Sequence, residues 1–145
     1  WRSQIDFGLA NPGVFRMLSD PSRALRSPAA QSGQRVLESR VHRVAATGRL
    51  RVSEQRAVGL IQSAGVGVIQ VLLSTAPEHR DPGLAEGIYD AVLAQILTDA
   101  PPRTDDGSTA TVVAFRALAP GLEALTAAER ELVAEWLDRV IDGRG

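Results

Sequence analysis

Two histidines, seventeen acidic residues and no cysteine set the chemistry open to this 145-residue chain. Glu38 and His42 stand four residues apart, a spacing that puts both on one face of a helix. A bundle-type di-metal site needs Glu-x-x-His pairs on two helices and further carboxylates. The second histidine, His79, instead lies in Glu78-His79-Arg80-Asp81, which reads as a loop. Asp105-Asp106-Gly107 has the flavour of a calcium loop but lacks the regular oxygen spacing and the terminal Glu, so it reads as a turn. Gly65-x-Gly67 lacks the third glycine and follows no clear strand, which removes a dinucleotide fingerprint. There is no G-x-S-x-G elbow, and without cysteine there is no thiolate nucleophile, thiolate metal site or disulfide. No catalytic residue, metal or cofactor is assigned, and an enzyme is not expected.

What remains is a set of polar groups on otherwise apolar elements: Gln62, Ser63, Gln70 and Tyr89. Taken singly, each reads as bonded to neighbouring backbone or water. Taken together they are orienting groups for a mostly apolar pocket between helices. Phe7, Phe15, Met17, Val41, Ile61 and Val68 are its candidate walls, although aromatics at such spacing also serve as plain core. Gly65, with Ala64 and Gly67 beside it, marks where side-chain volume is missing.

These residues need a scaffold, and the uncharged stretch Ala57–Ala76 is its centre. Ser53 is a candidate N-cap and Ala76-Pro77 a stop. Val58, Leu60, Ile61, Val66, Val68, Ile69, Val71, Leu72 and Leu73 fall on every face, the pattern of a helix enclosed by others. Twenty uncharged residues are long enough to span a bilayer. Gln62, Ser63, Gln70, Ser74 and three glycines weaken insertion, and no aromatic or basic collar flanks the run. A strand is the other rival, since β-branched residues suit sheets, but the length suits several helical turns better. We read a soluble core helix.

Composition bounds the rest. At this length a single domain, 1–145, can bury roughly two thirds of its unfolded surface. All sixteen basic residues are arginine, and alanine is abundant, a pattern that points to a GC-rich coding genome. The net charge of −1 gives no reason to expect strong nonspecific binding to nucleic acid. From Arg16 to Arg56 there are nine arginines against Asp20, Glu38 and Glu54, whereas from Ala57 onward six arginines face thirteen acids. Two differently charged solvated faces account for this; the functional reading is a basic part facing an acidic neighbour or nucleic acid held elsewhere. The chain opens at Trp1 inside what reads as a helix, without a signal-peptide pattern, so we expect it to continue a longer N-terminal portion.

In order, Trp1–Ala10 reads as a helix with Trp1, Ile5 and Leu9 on one face. Asn11-Pro12 breaks it, and Pro12 starts a short second helix, capped by Asn11, through Val14, Phe15, Met17 and Leu18. Ser27-Pro28 opens a long helix with Val36, Leu37, Val41 and Val44 inward, ended by Thr47-Gly48. After the central helix, Asp81-Pro82 caps one with rows Leu84, Ile88, Val92, Ile96 and Ala85, Tyr89, Leu93, Leu97. Residues 100–108 read as a polar linker and Thr109–Leu118 as a helix. Thr126-Ala-Ala-Glu129 is a capping box opening a helix with rows Leu132, Trp136, Val140 and Val133, Leu137, Ile141. Glu135 and Arg139 form a favourable i,i+4 pair, and Gly143 ends that helix. The fold class is all-α, an antiparallel bundle of about six helices around a buried central one.

The phrase Phe7-Gly8-Leu9-Ala10-Asn11-Pro12-Gly13-Val14-Phe15-Arg16-Met17 resembles the F-x-L-x-x-P-x-[LV]-[FY]-R-x-M stretch near the start of the C-terminal regulatory domain in many TetR-type transcriptional repressors. Ala46-Thr47-Gly48-Arg49-Leu50-Arg51 is similar to the family's turn into its central helix, and the order of helices fits. The resemblance implies a cytoplasmic ligand-sensing and dimerisation domain, in which a small hydrophobic or amphipathic effector shifts the spacing of two DNA-binding heads. The N-terminal helix-turn-helix that carries operator contacts is absent from this sequence, so operator DNA is a partner only through that missing part, and no membrane is expected. The wide apolar stripes of Pro82–Leu97 and Thr126–Ile141 predict a homodimer through Leu84, Ile88, Leu93, Leu97, Leu132, Trp136 and Val140. A helical protein-interaction module with no small-molecule ligand is the chief alternative, and a small helical enzyme comes third.

Overall fold

The computed structural model describes residues 1–98 and 109–143, and the described residues are all-α. They form helices α1 (Arg2–Ala10), α2 (Pro12–Ser19), α3 (Pro21–Ala24), α4 (Pro28–Ala46), α5 (Glu54–Ser74), α6 (Leu84–Ile96), α7 (Thr109–Leu118) and α8 (Ala127–Ile141). The linker expected over 100–108, with Asp105-Asp106-Gly107, lies outside the described residues. The chain divides into two compact units. One comprises Trp1–Leu37 and Gly59–Leu93, the other Glu38–Val58 and Ala94–Gly145, so α4, α5 and α6 each contribute to both.

The first unit is built on Ile5, Phe15, Val68, Ile69 and Leu72, with Trp1, Leu9, Leu73, Leu84, Ala85 and Ile88 packed against them. Ile5, Gly8 and Leu9 are three and four residues apart and so share the face of α1 that meets this core. Gly8 is there for closeness: a Cβ at that position would stand 2.8 Å from both Cδ1 and Cγ2 of Ile69. The break at Asn11-Pro12 places Pro12 first in α2. The Asn11 side chain does not cap α2, however; its amide reaches back and donates to the Phe7 carbonyl at 3.1 Å. The same carbonyl also accepts the Asn11 backbone N–H at 2.9 Å, so Asn11 closes the end of α1 with two donors. The Trp1 indole N–H donates to the Ala85 carbonyl at 3.0 Å, and its ring lies 5.5 Å from that of Tyr89. Arg2 pairs with Glu86 nearby.

The expectation of an enclosed α5 is corrected. By length and a mean hydropathy of 1.7 this helix could cross a membrane, and 33 % of that window is buried in protein. Gly59, Ser63, Val66, Gly67, Gln70, Val71 and Ser74 are exposed, and this spacing is one continuous helical face. Four of the seven are glycine or serine, so little apolar side chain meets water there. Val36, expected inward on α4, is exposed as well, while Val41 and Ala45 are buried.

In the second unit the buried residues are Val41, Ala45, Leu50, Ala57, Val58, Ile96, Ala110, Val113, Ala117 and Ala119. Gly48 ends α4 with a φ of 71°, the left-handed conformation that glycine supplies without strain. The connector it releases meets the segment after α6 in one antiparallel bridge, Leu50 to Leu97. Arg51 N–H donates to the Ile96 carbonyl at 2.9 Å, and Thr98 N–H to the Arg49 carbonyl at 3.0 Å. On α7, Ala110, Val113 and Ala117 are buried, leaving Phe115 and Leu118 on the surface. Arg130 braces the turn into α8 by donating to the carbonyls of Leu122 at 3.1 Å and Leu125 at 2.6 Å.

The capping box forms as the sequence predicts. Thr126 N–H donates to the Glu129 carboxylate at 2.8 Å, and Glu129 N–H donates to the Thr126 hydroxyl at 3.3 Å. The bond from the Thr126 backbone, then that from its hydroxyl, hold the Glu129 carboxyl below its ordinary value of 4.5. Asp20, which caps α3, is likewise lowered by the hydroxyl and then the backbone N–H of Ser22. A depressed carboxyl stabilises the fold above its unfolded value and ceases to do so as pH falls through the folded one. Thr126→Ala is therefore expected to cost about 1 kcal/mol at neutral pH. That difference should shrink once pH drops below the ordinary 4.5 of Glu129, as read from denaturant melts of both proteins across the acid range. A difference that stays constant with pH would separate the cap from the carboxylate.

Candidate functional site

The second unit holds a cavity of about 440 Å³ built from four stretches of chain. His42 comes from α4, Ser53, Glu54 and Gln55 from the start of α5, and Val113, Arg116, Ala117 and Pro120 from α7 and the turn after it. Asp138, Ile141 and Asp142 come from the end of α8. A second hollow, about 490 Å³, shares Ser53, Gln55, Ile141 and Asp142 with it and adds Arg51, Val52, Arg56 and Gln95. Volumes of this order suit a small organic ligand.

Two charge pairs stand in the first cavity. Arg116 makes a bidentate contact with Asp138, Nε to Oδ1 at 2.9 Å and Nη2 to Oδ2 at 3.1 Å. A planar fork matched to a carboxylate is among the stronger surface pairings, and this one ties α7 to α8. His42 Nδ1 lies 3.3 and 3.2 Å from the two Glu54 oxygens. A carboxylate only accepts, so the pairing places a proton on Nδ1. The Asp142 carboxylate has no ion-pair partner among the described residues, nor do the guanidinium groups of Arg51 and Arg56. Val113, Ala117, Pro120 and Ile141 give the walls an apolar part. The arrangement can hold a ligand by shape and charge. Among the described residues, no three His, Asp or Glu side chains converge as a metal-ligand set.

The residues singled out from the sequence as pocket walls lie elsewhere, and none of them lines this cavity. Phe15 and Val68 sit in the core of the first unit, and Val41 is buried in the second. Phe7 and Met17 are 50 % and 45 % exposed. Ile61 and Gln62 are half-buried, and the Gln62 amide donates to Gln34 Oε1. Tyr89 stacks on Trp1. The inference from small residues to empty space is corrected at Gly65: Gln4 fills it, its amide nitrogen 3.1 Å from where a Cβ would stand. Gly67 is exposed and faces open space. Gln70 and Ser74 bond to each other along α5, the Ser74 hydroxyl donating to the Gln70 carbonyl at 2.8 Å.

The candidate dimer residues divide in the same way. Leu84 and Ile88 pack on the core of the first unit, and Leu93 and Leu97 are half-buried. On α8, Leu132, Trp136 and Val140 form an exposed row, with Trp136 at 53 %.

Sequence reasoning weighed His42 with Glu38 on one helical face as a metal pair and set it aside; the structure sets His42 against Glu54, twelve residues on. Arg116 and Asp138 were missed altogether. Their signal was present: Arg116 is the only charge in Thr109–Leu118, and a lone charge on an apolar helix calls for a counter-charge nearby. No protein-family model, curated protein or solved structure matches this chain.

Proposed function

We propose that this chain is the ligand-sensing and dimerisation part of a cytoplasmic TetR-like transcriptional regulator. The observation that carries the reading is the exposed row Leu132, Trp136 and Val140 on α8. Three large apolar residues aligned over two turns are a face that a second copy would cover. The break between α1 and α2 lies at Asn11-Pro12, inside the TetR-like phrase Phe7–Met17, and the cavity beside the Arg116–Asp138 pair supplies room for an effector. Its half-polar lining favours an amphipathic effector over a purely apolar one. In this scheme the effector binds more tightly to the DNA-incompetent arrangement of the dimer, and that difference in affinity is the allosteric coupling.

Two measurements test the reading together. Translation of the coding sequence upstream of Trp1 is expected to give a helix-turn-helix. Titrated against duplex DNA at physiological salt, the chain itself is expected to show no sequence-selective binding, since its net charge is −1. Selective binding by this chain, or the absence of a helix-turn-helix upstream, would sink the proposal.

A further inference from the structure

The two hollows of the second unit carry opposite charge. In the first, Asp138 is neutralised by Arg116, Glu54 faces the His42 imidazole, and Asp142 has no ion-pair partner among the described residues. Three carboxylates stand there against one guanidinium and one imidazole, so that lining is net negative. In the second, Arg51 and Arg56 outnumber Asp142. Ser53, Gln55, Ile141 and Asp142 belong to both, so the two adjoin in one depression across a shared wall; Glu54 lines only the first part, Arg51 and Arg56 only the second, and Asp142 the wall between them. Apolar surface from Pro120 and Ile141 lies along it.

We propose that this depression binds a small amphipathic zwitterion of the amino-acid or short-peptide kind. Its cationic group would face Glu54 and Asp142, its anionic group would face Arg51 and Arg56, and its apolar body would rest on Pro120 and Ile141. A ligand with only one charge leaves the opposite set of groups unmatched, and complementary potentials discriminate between ligands more than they add raw affinity. The Ser53 hydroxyl and the Gln55 amide are at the shared wall, where a peptide group or a second polar atom would pass. The proposal rests on the sensing role given above and names the chemistry of the sensed molecule.

Phenylalanyl-leucine, its C-terminal amide and its N-acetyl derivative share one body and differ by single charges, so calorimetric titration of the three against this chain is the test. The free dipeptide should bind saturably, and each single-charge derivative about tenfold more weakly. Asp142→Asn should weaken the dipeptide but leave the N-acetyl derivative unchanged, and Arg56→Gln should weaken the dipeptide but not the amide. Both positions are exposed, and unchanged circular dichroism would show that the fold survives. Equal binding of the three ligands, loss of binding without this charge pattern, or no saturable binding by the dipeptide would each overturn the site. Charge-selective binding combined with no helix-turn-helix upstream of Trp1 would support the site while removing the regulator reading, so the two proposals fail separately.

Discussion

Truncating Ile69 to alanine is expected to destabilise the protein by about 2–5 kcal/mol, the range for emptying a fully packed aliphatic position. Ile69 is 1 % exposed and central to the core of the first unit. The partner experiment is at Gly8. In an ordinary helix, exchanging glycine for alanine gains about 1 kcal/mol of propensity. Here the added methyl meets Ile69 carbons at 2.8 Å, closer than real Cβ contacts allow, and overpacking of this kind costs about 1–3 kcal/mol. Gly8→Ala should therefore be neutral to destabilising, against the helix scale. Combined with Ile69→Ala, the same methyl enters the vacated space, and Gly8→Ala becomes stabilising in that background. Denaturant melts of the four proteins give the coupling directly. A Gly8→Ala change of one sign in both backgrounds would show that the contact does not limit the packing of α1 on α5.

This pair of residues also shows where sequence reading ends. The signals that were legible act within a few residues: proline after Asn11, serine before Pro28, glycine after Thr47, and Thr126 with Glu129. Each satisfies or breaks a backbone group beside it, and the structure places α1, α2, α4 and α8 at those punctuation marks. The face of α5 that turns to solvent was not legible, because its residues are nearly uniform in polarity and no hydrophobic stripe marks an inside. Glycine was ambiguous for the same reason. It stands for empty space at Gly67, for a slot filled by Gln4 at Gly65, and for the closest approach in the unit at Gly8. Only the neighbours decide which.

The candidate site was hidden more deeply. His42 meets Glu54 across the turn at Gly48, and Arg116 meets Asp138 across the turn between α7 and α8. Periodicity within one helix offered Glu38 as the partner of His42, at the spacing that a helix makes adjacent. Contacts between helices depend on which turns bring them together, and that is set by the whole hairpin. The charge asymmetry along the chain, basic before Ala57 and acidic after it, maps onto the site only in part: Arg51 and Arg56 come from the first stretch and Asp138 and Asp142 from the second, but Glu54 and Arg116 reverse the pattern.

Sedimentation equilibrium is expected to show a dimer that depends on α8. Leu132, Trp136 and Val140 fall at i, i+4 and i+8, one line along the helix, and all three are exposed. Val133, Leu137 and Ile141 are half-buried on the neighbouring row, so α8 already anchors itself to its own unit with one row and presents the other. Burying a large indole at the centre of an interface typically carries about 2 kcal/mol or more. Trp136→Ala should accordingly raise the dimer dissociation constant roughly thirtyfold, and Leu132→Glu, which sets an uncompensated carboxylate in the apolar line, should weaken it further. Neither residue is buried in the protomer, so both variants should retain the helical content of the wild type. Val71→Glu is the control, because Val71 is 51 % exposed on α5 and belongs to the other unit; it should leave the assembly unchanged. A wild type that remains monomeric at high concentration, or a dimer broken by the change at Val71 and not by those on α8, would remove α8 as the interface and with it the main support for the dimeric regulator.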